Sequence, residues 1–268
     1  MPILTYDGSF VGFLSAVFCL YADFAYARTP ADRFLLMKDD APAARTGDLF
    51  AQTMSVGNDS EKADRVLKTL EKIFSPAGVQ RLLLAFLSED PEVESKLLAT
   101  IRHALNTPGR AVLHDHAHPA VSEINRLARA VSRERHRLLG FVRFEKTRTD
   151  IYFARIAPAY DVLLLLAGHF KRRYADQRWA IFDVSRHFGF YFDRQQLRVI
   201  DHFNPGSRQE WLSLLDGDET VYQSLWRTYL THGNIAERKN PQQHLRQLPK
   251  RYWRYLTEKD FLTPGGAG

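Results

Sequence analysis

The sequence predicts an α+β protein in which an antiparallel ββαββ sheet core is flanked by N- and C-terminal helices. Two observations predict this class. Before residue 139, apolar residues recur in several segments with the period of a helix. From Leu139 onward, the pattern changes to the two-residue alternation of strands, and a long apolar helix separates two strand pairs.

Residues 1–119 are predicted to form a helical region that packs on this core. A short strand at 2–6 leads into a helix that has Ser9 as its N-cap, and the small, polar segment 41–60 is interpreted as a loop. Ser75–Pro76 is typical of a helix start, with proline at the first helical position. The helices of this region are predicted near 61–75, 76–88 and 91–106.

Residues 120–268 are predicted to form a basic α+β core with C-terminal helices, either as a second domain or continuous with the first region. A helix near 119–138 buries Val121, Ile124, Leu127, Ala128, Val131 and Leu138. Two predicted hairpins follow, with the helix from Pro158 to about Tyr174 between them. Their strands lie at 139–146 and 150–156, and at 178–183 and 187–193.

Composition narrows the class of protein further. The chain has 268 residues, of which 45% are hydrophobic and 25% charged, so disordered and fibrous classes are excluded. The single cysteine, Cys19, excludes a disulfide framework and a self-contained iron–sulfur cluster. No apolar run is long enough to cross a bilayer, and the start of the chain lacks the pattern of a signal peptide. We expect a cytoplasmic protein with no membrane contact and no cofactor.

The net charge of +6 is unevenly distributed along the chain. Residues 1–119 contain 12 Lys/Arg against 15 Asp/Glu, whereas residues 120–268 contain 25 against 16. A basic half is typical of a protein that binds a phosphate backbone, because each neutralised phosphate releases counterions. A solvated arginine-rich surface is the alternative.

Basic residues gather where the predicted helix 119–138 passes into the first strand. Gly140 allows the helix to end there, and Arg143 follows on the strand. Such a group of imidazoles and guanidiniums can hold a phosphate or a flipped base, and the alternative is an internal network that closes the joint between helix and sheet. The candidates for nucleic-acid binding are Arg133, His136, Arg137, Arg143, His169 and Arg173.

The C-terminal part alternates cations with aromatic residues. Lys250, Arg251 and Trp253 are further candidates for nucleic-acid binding, because such a surface neutralises phosphates while it stacks bases. Alternatively, Tyr252, Trp253 and Leu256 pack on the core and leave only the cations in water.

The sequence contains only weak candidates for a catalytic or metal-binding site. Phosphate-binding glycine loops and the Gly-x-Ser-x-Gly elbow are absent. Glu134, Asp161 and Asp183 are candidates for a catalytic acid, although aspartates at hairpin ends commonly form turns. His114, His116 and His118 either chelate a divalent ion or form an exposed loop, and we assign no metal site.

Seven short motifs keep their order along nearly the whole chain: YDGSFVGF (6–13), RERHR (133–137), GFVRF (140–144), HFKRRY (169–174), WAIFD (179–183), ERKNP (237–241) and PKRYW (249–253). With them the chain resembles a bacterial family called probable DNA metabolism proteins. Members typically occur beside a putative DNA repair radical-SAM protein, and the domain is also found fused to a uracil-DNA-glycosylase-like domain. The resemblance implies DNA and a radical-SAM protein as partners. Radical-SAM chemistry needs a cysteine-ligated cluster that one cysteine cannot supply.

The expected function is that of a DNA-binding accessory protein in DNA repair or modification, acting with the radical-SAM partner. Two alternatives stay open: a repair enzyme of glycosylase-like or nuclease-like type, and a structural subunit that binds an acidic protein partner. Salt dependence separates DNA binding from protein binding, since each phosphate contact adds to the slope of affinity against salt. Release of a base, or a nick in a damaged duplex, would favour the enzyme.

Overall fold

The computed structural model describes residues 3–22, 34–39, 53–201, 208–232 and 241–259. Two compact units divide the chain, one comprising residues 1–132 and the other residues 133–268. Both units contain strands as well as helices, which confirms the predicted mixture of the two. No helix within the described ranges has the length and apolar character that crossing a membrane requires.

The first unit contains a small parallel sheet in addition to its helices. Strand β1 pairs in parallel with β2 on one side and with β3 on the other. All four residues of β1 are buried, as is typical of a parallel strand covered on both faces. The elements are β1 (Ile3–Tyr6), α1 (Phe10–Ala22), β2 (Leu35–Lys38), β3 (Thr53–Ser55), α2 (Ser60–Phe86), α3 (Val93–Asn106), a 3₁₀ helix (Val112–His114) and the start of α4 (Pro119–Phe141).

The predicted strand at 2–6 is confirmed by β1, but the sequence prediction for this region did not include β2 and β3. Strand β3 falls inside the segment 41–60, for which the sequence predicts a loop; residues 41–52 of this segment lie outside the described residues. Both β2 and β3 have four residues or fewer, too few for their alternation to stand out in the sequence. Their pairing with the buried β1 gives them their conformation.

The predicted helix starts are confirmed by their capping hydrogen bonds. Ser9 Oγ accepts a hydrogen bond from the Gly12 backbone N–H at 2.9 Å, at the start of α1. Helix α2 bends sharply at Ser75, whose φ is 66°, and Ser75 Oγ accepts from the Gly78 N–H at 3.3 Å. Because Pro76 cannot donate to the preceding turn, the chain starts a second helical segment at this point.

The second unit contains a five-stranded mixed sheet with the order β4-β5-β6-β7-β8. Helix α5 connects β5 to β6, the C-terminal part of α4 precedes the sheet in the chain, and the other helices follow it. The elements after α4 are β4 (Glu145–Lys146), β5 (Tyr152–Ile156), α5 (Leu163–Arg173), β6 (Trp179–Asp183), β7 (Phe188–Phe192), β8 (Leu197–Ile200), α6 (Arg208–Leu214), α7 (Glu219–His232), α8 (Pro241–Gln247) and a 3₁₀ helix (Lys250–Tyr255).

The prediction of a wholly antiparallel sheet is wrong at its centre. The pairs β4–β5 and β6–β7 are antiparallel, but β5 runs parallel to β6, with Tyr152 opposite Trp179 and Ile156 opposite Asp183. Helix α5 returns the chain to the end of the sheet where β5 began, so the next strand runs in the same direction as β5. The sheet also has a fifth strand, β8, which the predicted ββαββ core lacked.

The first strand of this sheet starts later than predicted. Helix α4 continues to Phe141, and β4 comprises only Glu145–Lys146 instead of beginning at residue 139. The six residues expected on the inner face of this helix are all buried: Val121, Ile124, Leu127, Ala128, Val131 and Leu138. Residues 139–141, which the sequence predicts to begin the first strand, thus continue the helix instead.

Candidate functional site

The second unit contains a cleft of about 980 Å³. It lies where the C-terminal end of α4 meets the sheet, between α5 and α7, which is the joint that the sequence singled out. Its lining is His136, Leu139, Gly140, Val142, Arg143, Phe144, Lys146, Tyr152, His169, Phe170, Arg173, Tyr174, Gln177, Trp179, Glu219, Tyr222, Gln223, Trp226 and Thr257.

Aromatic rings dominate the wall of this cleft. Phe144 makes edge contacts with Phe170 and Tyr174, at ring-centroid distances of 5.3 and 5.6 Å. Trp179 is only 1% exposed, and its Nε1 donates no hydrogen bond to any described residue. On the opposite side, Tyr222 of α7 is 62% exposed. The Tyr222 ring is therefore accessible to a flat ligand, whereas the Trp179 ring is covered by the protein.

The structure brings four of the predicted basic residues to this cleft: His136, Arg143, His169 and Arg173. His169 and Arg173 lie one turn apart on α5, so their side chains project from the same face. The Arg173 Nε donates a 3.4 Å hydrogen bond to the Tyr174 hydroxyl. Arg173 forms no salt bridge with any residue in the described part of the chain, so its charge is available to a ligand.

Arg143 is occupied by contacts within the protein. Its Nε and Nη2 donate to the two carboxylate oxygens of Glu258 at 3.2 and 2.7 Å, and its Nη1 donates to the Gly140 carbonyl at 2.8 Å. Burial acts to raise the pKa of the Glu258 carboxyl, but the hydrogen bonds and charge of Arg143 hold that pKa below its ordinary value. Arg143 thus fixes the C-terminal segment beside the cleft.

The other predicted nucleic-acid residues do not line the cleft. Arg133 is exposed on α4, and Arg137 donates to the Arg246 carbonyl at 3.1 Å. In the C-terminal 3₁₀ helix, Lys250 is exposed and the Trp253 Nε1 donates to the Leu248 carbonyl at 3.1 Å. Tyr252 and the following Leu256 are buried, as the packing alternative expected, whereas Trp253 is only half-buried. Residues 237–240 of the ERKNP motif lie outside the described residues.

The three candidate catalytic carboxylates are also outside the cleft lining. Glu134 is 1% exposed; it accepts from the Arg251 Nη2 at 2.6 Å, from the Tyr252 hydroxyl and from the Ala159 N–H at 2.9 Å. Asp183 accepts from the backbone N–H groups of Ser185 and Arg186, at 2.9 and 3.3 Å. Asp161 is half-buried in the segment between β5 and α5.

The contacts of Asp183 are those of a turn former. Its second oxygen also accepts from the Arg186 Nη1 at 2.9 Å, so its hydrogen bonds with the described residues are all to the chain that follows β6. The buried Glu134 instead connects the C-terminal 3₁₀ helix to α4 through its hydrogen bonds with Arg251 and Tyr252. Asp183 thus stabilises a local turn, and Glu134 stabilises a contact between distant parts of the chain.

The histidine loop of the first unit is organised by an acid and by ring stacking. His103 Nε2 lies 2.9 Å from Asp115 Oδ2, and the His103 and His118 rings stack at 4.1 Å. His114 and His116 instead line a separate cavity. Among the described residues, no three histidine, cysteine or acidic side chains are placed to hold a metal ion.

Two carboxylates at the site were missed by sequence reasoning. Glu219 lines the cleft, and its oxygens accept from the Lys146 backbone N–H at 2.9 Å and from the Gln223 Nε2 at 3.1 Å. The same Gln223 amide donates to Glu145 Oε1 at 3.3 Å, so it bridges the two acids. Only the four-residue spacing of Glu219 and Gln223 on one helix was visible in the sequence.

Glu145 lies beneath the cleft in a buried setting. Its Oε2 accepts from the Trp211 Nε1 at 3.1 Å and from the Arg155 Nη2 at 3.3 Å. Burial raises the pKa of the Glu145 carboxyl, the nearby Arg155 lowers it in part, and the charge of Glu219 raises it again. Glu145 thus supports α6 and α7 from below, and Glu219 is the acid at the cleft.

These features define a two-unit protein of mixed helices and strands, with an aromatic cleft that carries basic side chains and one carboxylate. Residues 91–258 match the family described as a domain of unknown function, DUF4130, and the chain belongs to this family. No curated protein and no solved structure matches the chain. The matched region contains every residue that lines the cleft.

Proposed function

We propose that this chain is a DNA-binding accessory protein and that its cleft holds an unpaired base. The observation that carries the proposal is the convergence in one cleft of aromatic rings, His136, His169 and Arg173, whose charge has no ion-pair partner among the described residues. Bases stack on aromatic faces whatever their identity, and a guanidinium engages phosphate through two parallel hydrogen bonds.

The dimensions of the cleft suit a nucleotide. Pockets for small organic ligands commonly range from about 300 to about 1,000 Å³, and this cleft has about 980 Å³. Tyr222, 62% exposed at its edge, is accessible for stacking. A base inside a duplex cannot reach such a site until it leaves the stack, so the proposal favours single strands and duplexes with an unpaired base.

The polar side chains of the cleft can bind two different parts of a nucleotide, the phosphate and the base edge. Arg173 supplies the charge for a phosphate, and His136 and His169 can donate to a phosphate or to a base edge. The Glu219 carboxylate accepts hydrogen bonds only, so it favours a base edge that carries N–H donors.

The positions of the three candidate carboxylates argue against catalysis and favour an accessory role. Glu134 and Asp183 are engaged in structural contacts, and none of the three lines the cleft. We therefore propose that the chain presents the bound base to a separate enzyme in DNA repair or modification. The radical-SAM partner that the family resemblance implies fits this role, since it would bring its own chemistry.

Fluorescence anisotropy with labelled oligonucleotides tests the proposal. We expect tighter binding to a single strand, and to a duplex with one unpaired base, than to a fully paired duplex of the same length. Arg173→Gln should weaken binding and reduce the slope of log affinity against log salt by about one unit. Tyr222→Ala should weaken binding roughly 5- to 100-fold, through the loss of one stacked base.

The matched control is Arg172→Gln, which removes the same charge from an exposed neighbour on α5 that does not line the cleft. It should leave the preference for unpaired bases intact. The proposal fails if Arg173→Gln and Arg172→Gln weaken binding equally, or if the paired duplex binds as tightly as the single strand. Circular dichroism of each variant confirms that the fold is retained.

A further inference from the structure

The first unit contains a second cavity, of about 390 Å³, that is unrelated to the cleft described above. Three elements enclose it: the segment of α2 that follows the bend at Ser75, the chain at and after the 3₁₀ helix Val112–His114, and α4. Ten described residues line it, and none of these is acidic: Ala77, Gln80, Arg81, Leu84, His114, His116, Asn125, Ala128, Arg129 and Ser132.

Arg81 is held in this cavity by an amide and not by an acid. Its Nη1 donates to Asn125 Oδ1 at 3.1 Å. Asn125 is only 3% exposed and is fixed in turn, since its Nδ2 donates to the Leu113 carbonyl at 2.9 Å. A neutral acceptor orients the guanidinium without neutralising it, so Arg81 keeps its full charge and most of its N–H donors for a ligand.

Arg129 adds a second uncompensated charge. It lies one turn after Asn125 on α4, is exposed, and makes no salt bridge with any residue that the structure describes. By contrast, Arg126 on the same helix lies outside the cavity and pairs with Glu123 at 2.8 Å. The histidines at positions 114 and 116 contribute ring N–H donors to the same wall.

We propose that this cavity binds a phosphate group. Arg81 and Arg129 have no carboxylate partner among the residues that the structure describes, so their like charges repel each other, and a multiply charged anion between them relieves that repulsion. Phosphate fits this arrangement because its several oxygens accept from both planar forks at once. The phosphate can belong to a nucleic-acid strand or to a free phosphate compound, since the recognition chemistry is the same.

Isothermal titration of the full chain with inorganic pyrophosphate, and separately with a short single-stranded oligonucleotide, tests the site. Arg129→Gln should weaken the binding of at least one of these probes by tenfold or more. Gln80→Glu is a second variant, which puts a negative charge at an exposed lining position and should weaken the same probe. Arg126→Gln is the matched control and should leave both affinities unchanged.

The two titrations distinguish the source of the phosphate. If the variants weaken pyrophosphate binding, the site takes free phosphate compounds; if they weaken only oligonucleotide binding, the phosphate belongs to a strand. The proposal is overturned if neither variant changes either affinity, or if Arg126→Gln weakens binding as much as Arg129→Gln. The effect of Arg129→Gln on either probe should be the same in the parent chain and in the Arg173→Gln background, so failure of this site and failure of the cleft proposal give different results.

Discussion

Arg143→Ala should lower the free energy of unfolding of the second unit by about 2–3 kcal/mol. Removing one partner of a fully buried ion pair costs about 3–5 kcal/mol, because the other charge is left without compensation. The Glu258 side chain is 9% exposed and the Arg143 side chain 23%, so water reaches the site and reduces this cost.

Urea unfolding followed by tryptophan fluorescence measures this change. All four tryptophans, Trp179, Trp211, Trp226 and Trp253, lie in residues 133–268, so the signal reports on the second unit alone. The same variant should change DNA affinity only through disturbance of the edge of the cleft. The slope of log affinity against log salt should stay the same, because no phosphate contact is lost.

A double-mutant cycle with Glu258→Gln isolates the pair. The double variant should lose less stability than the sum of the two single variants, by about 1–2 kcal/mol, because the interaction is removed only once. Unchanged stability of Arg143→Ala, together with a salt slope reduced by about one unit, would refute the structural role and make Arg143 a phosphate ligand.

Three further predictions concern the second unit. The pKa of Glu258 is lower in the folded chain than in the unfolded chain, where it is about 4.3. The stabilisation from ionised Glu258 is therefore present above that pH and is lost as pH falls through the folded pKa. The urea midpoint should fall less steeply in acid for Glu258→Gln than for the parent chain. Gly189→Ala should cost about 2–3 kcal/mol in the same assay, because its Cβ would lie 2.6 Å from the Ile181 carbonyl oxygen, and an unchanged midpoint would contradict the close approach of β7 to β6. Glu134→Gln should lower stability by about 1–2 kcal/mol through its contact with the half-exposed Arg251, and DNA affinity measured by anisotropy should stay the same.

Local features of this fold could be read from the sequence because neighbouring residues determine them. The caps at Ser9 and Ser75 need only a hydroxyl and the N–H groups of the next turn. The hairpin of β6 and β7 follows from two alternating segments joined by a short turn. The inner face of α4 repeats with the helical period through Leu138.

Strand partners could not be read in this way. The directions of β5 and β6 depend on where α5 returns the chain, and a hydrophobic pattern is the same for parallel and antiparallel pairing. In the first unit, β2 and β3 are strands only because the buried β1 offers them hydrogen-bonding partners on both edges. Pairing between distant segments is a property of the whole fold.

In the candidate site, too, some features could be predicted from the sequence and others depend on the tertiary structure. By itself the sequence determined that basic residues gather where α4 meets the sheet, because motif spacing places His136, His169 and Arg173 near that joint. Only the tertiary structure decided which cations are available to a ligand. Arg143 binds Glu258, which lies 115 positions away in the chain, whereas Arg173 has no ion-pair partner among the described residues. Charge compensation depends on distances of a few ångströms between side chains, and folding sets those distances without regard to separation along the chain.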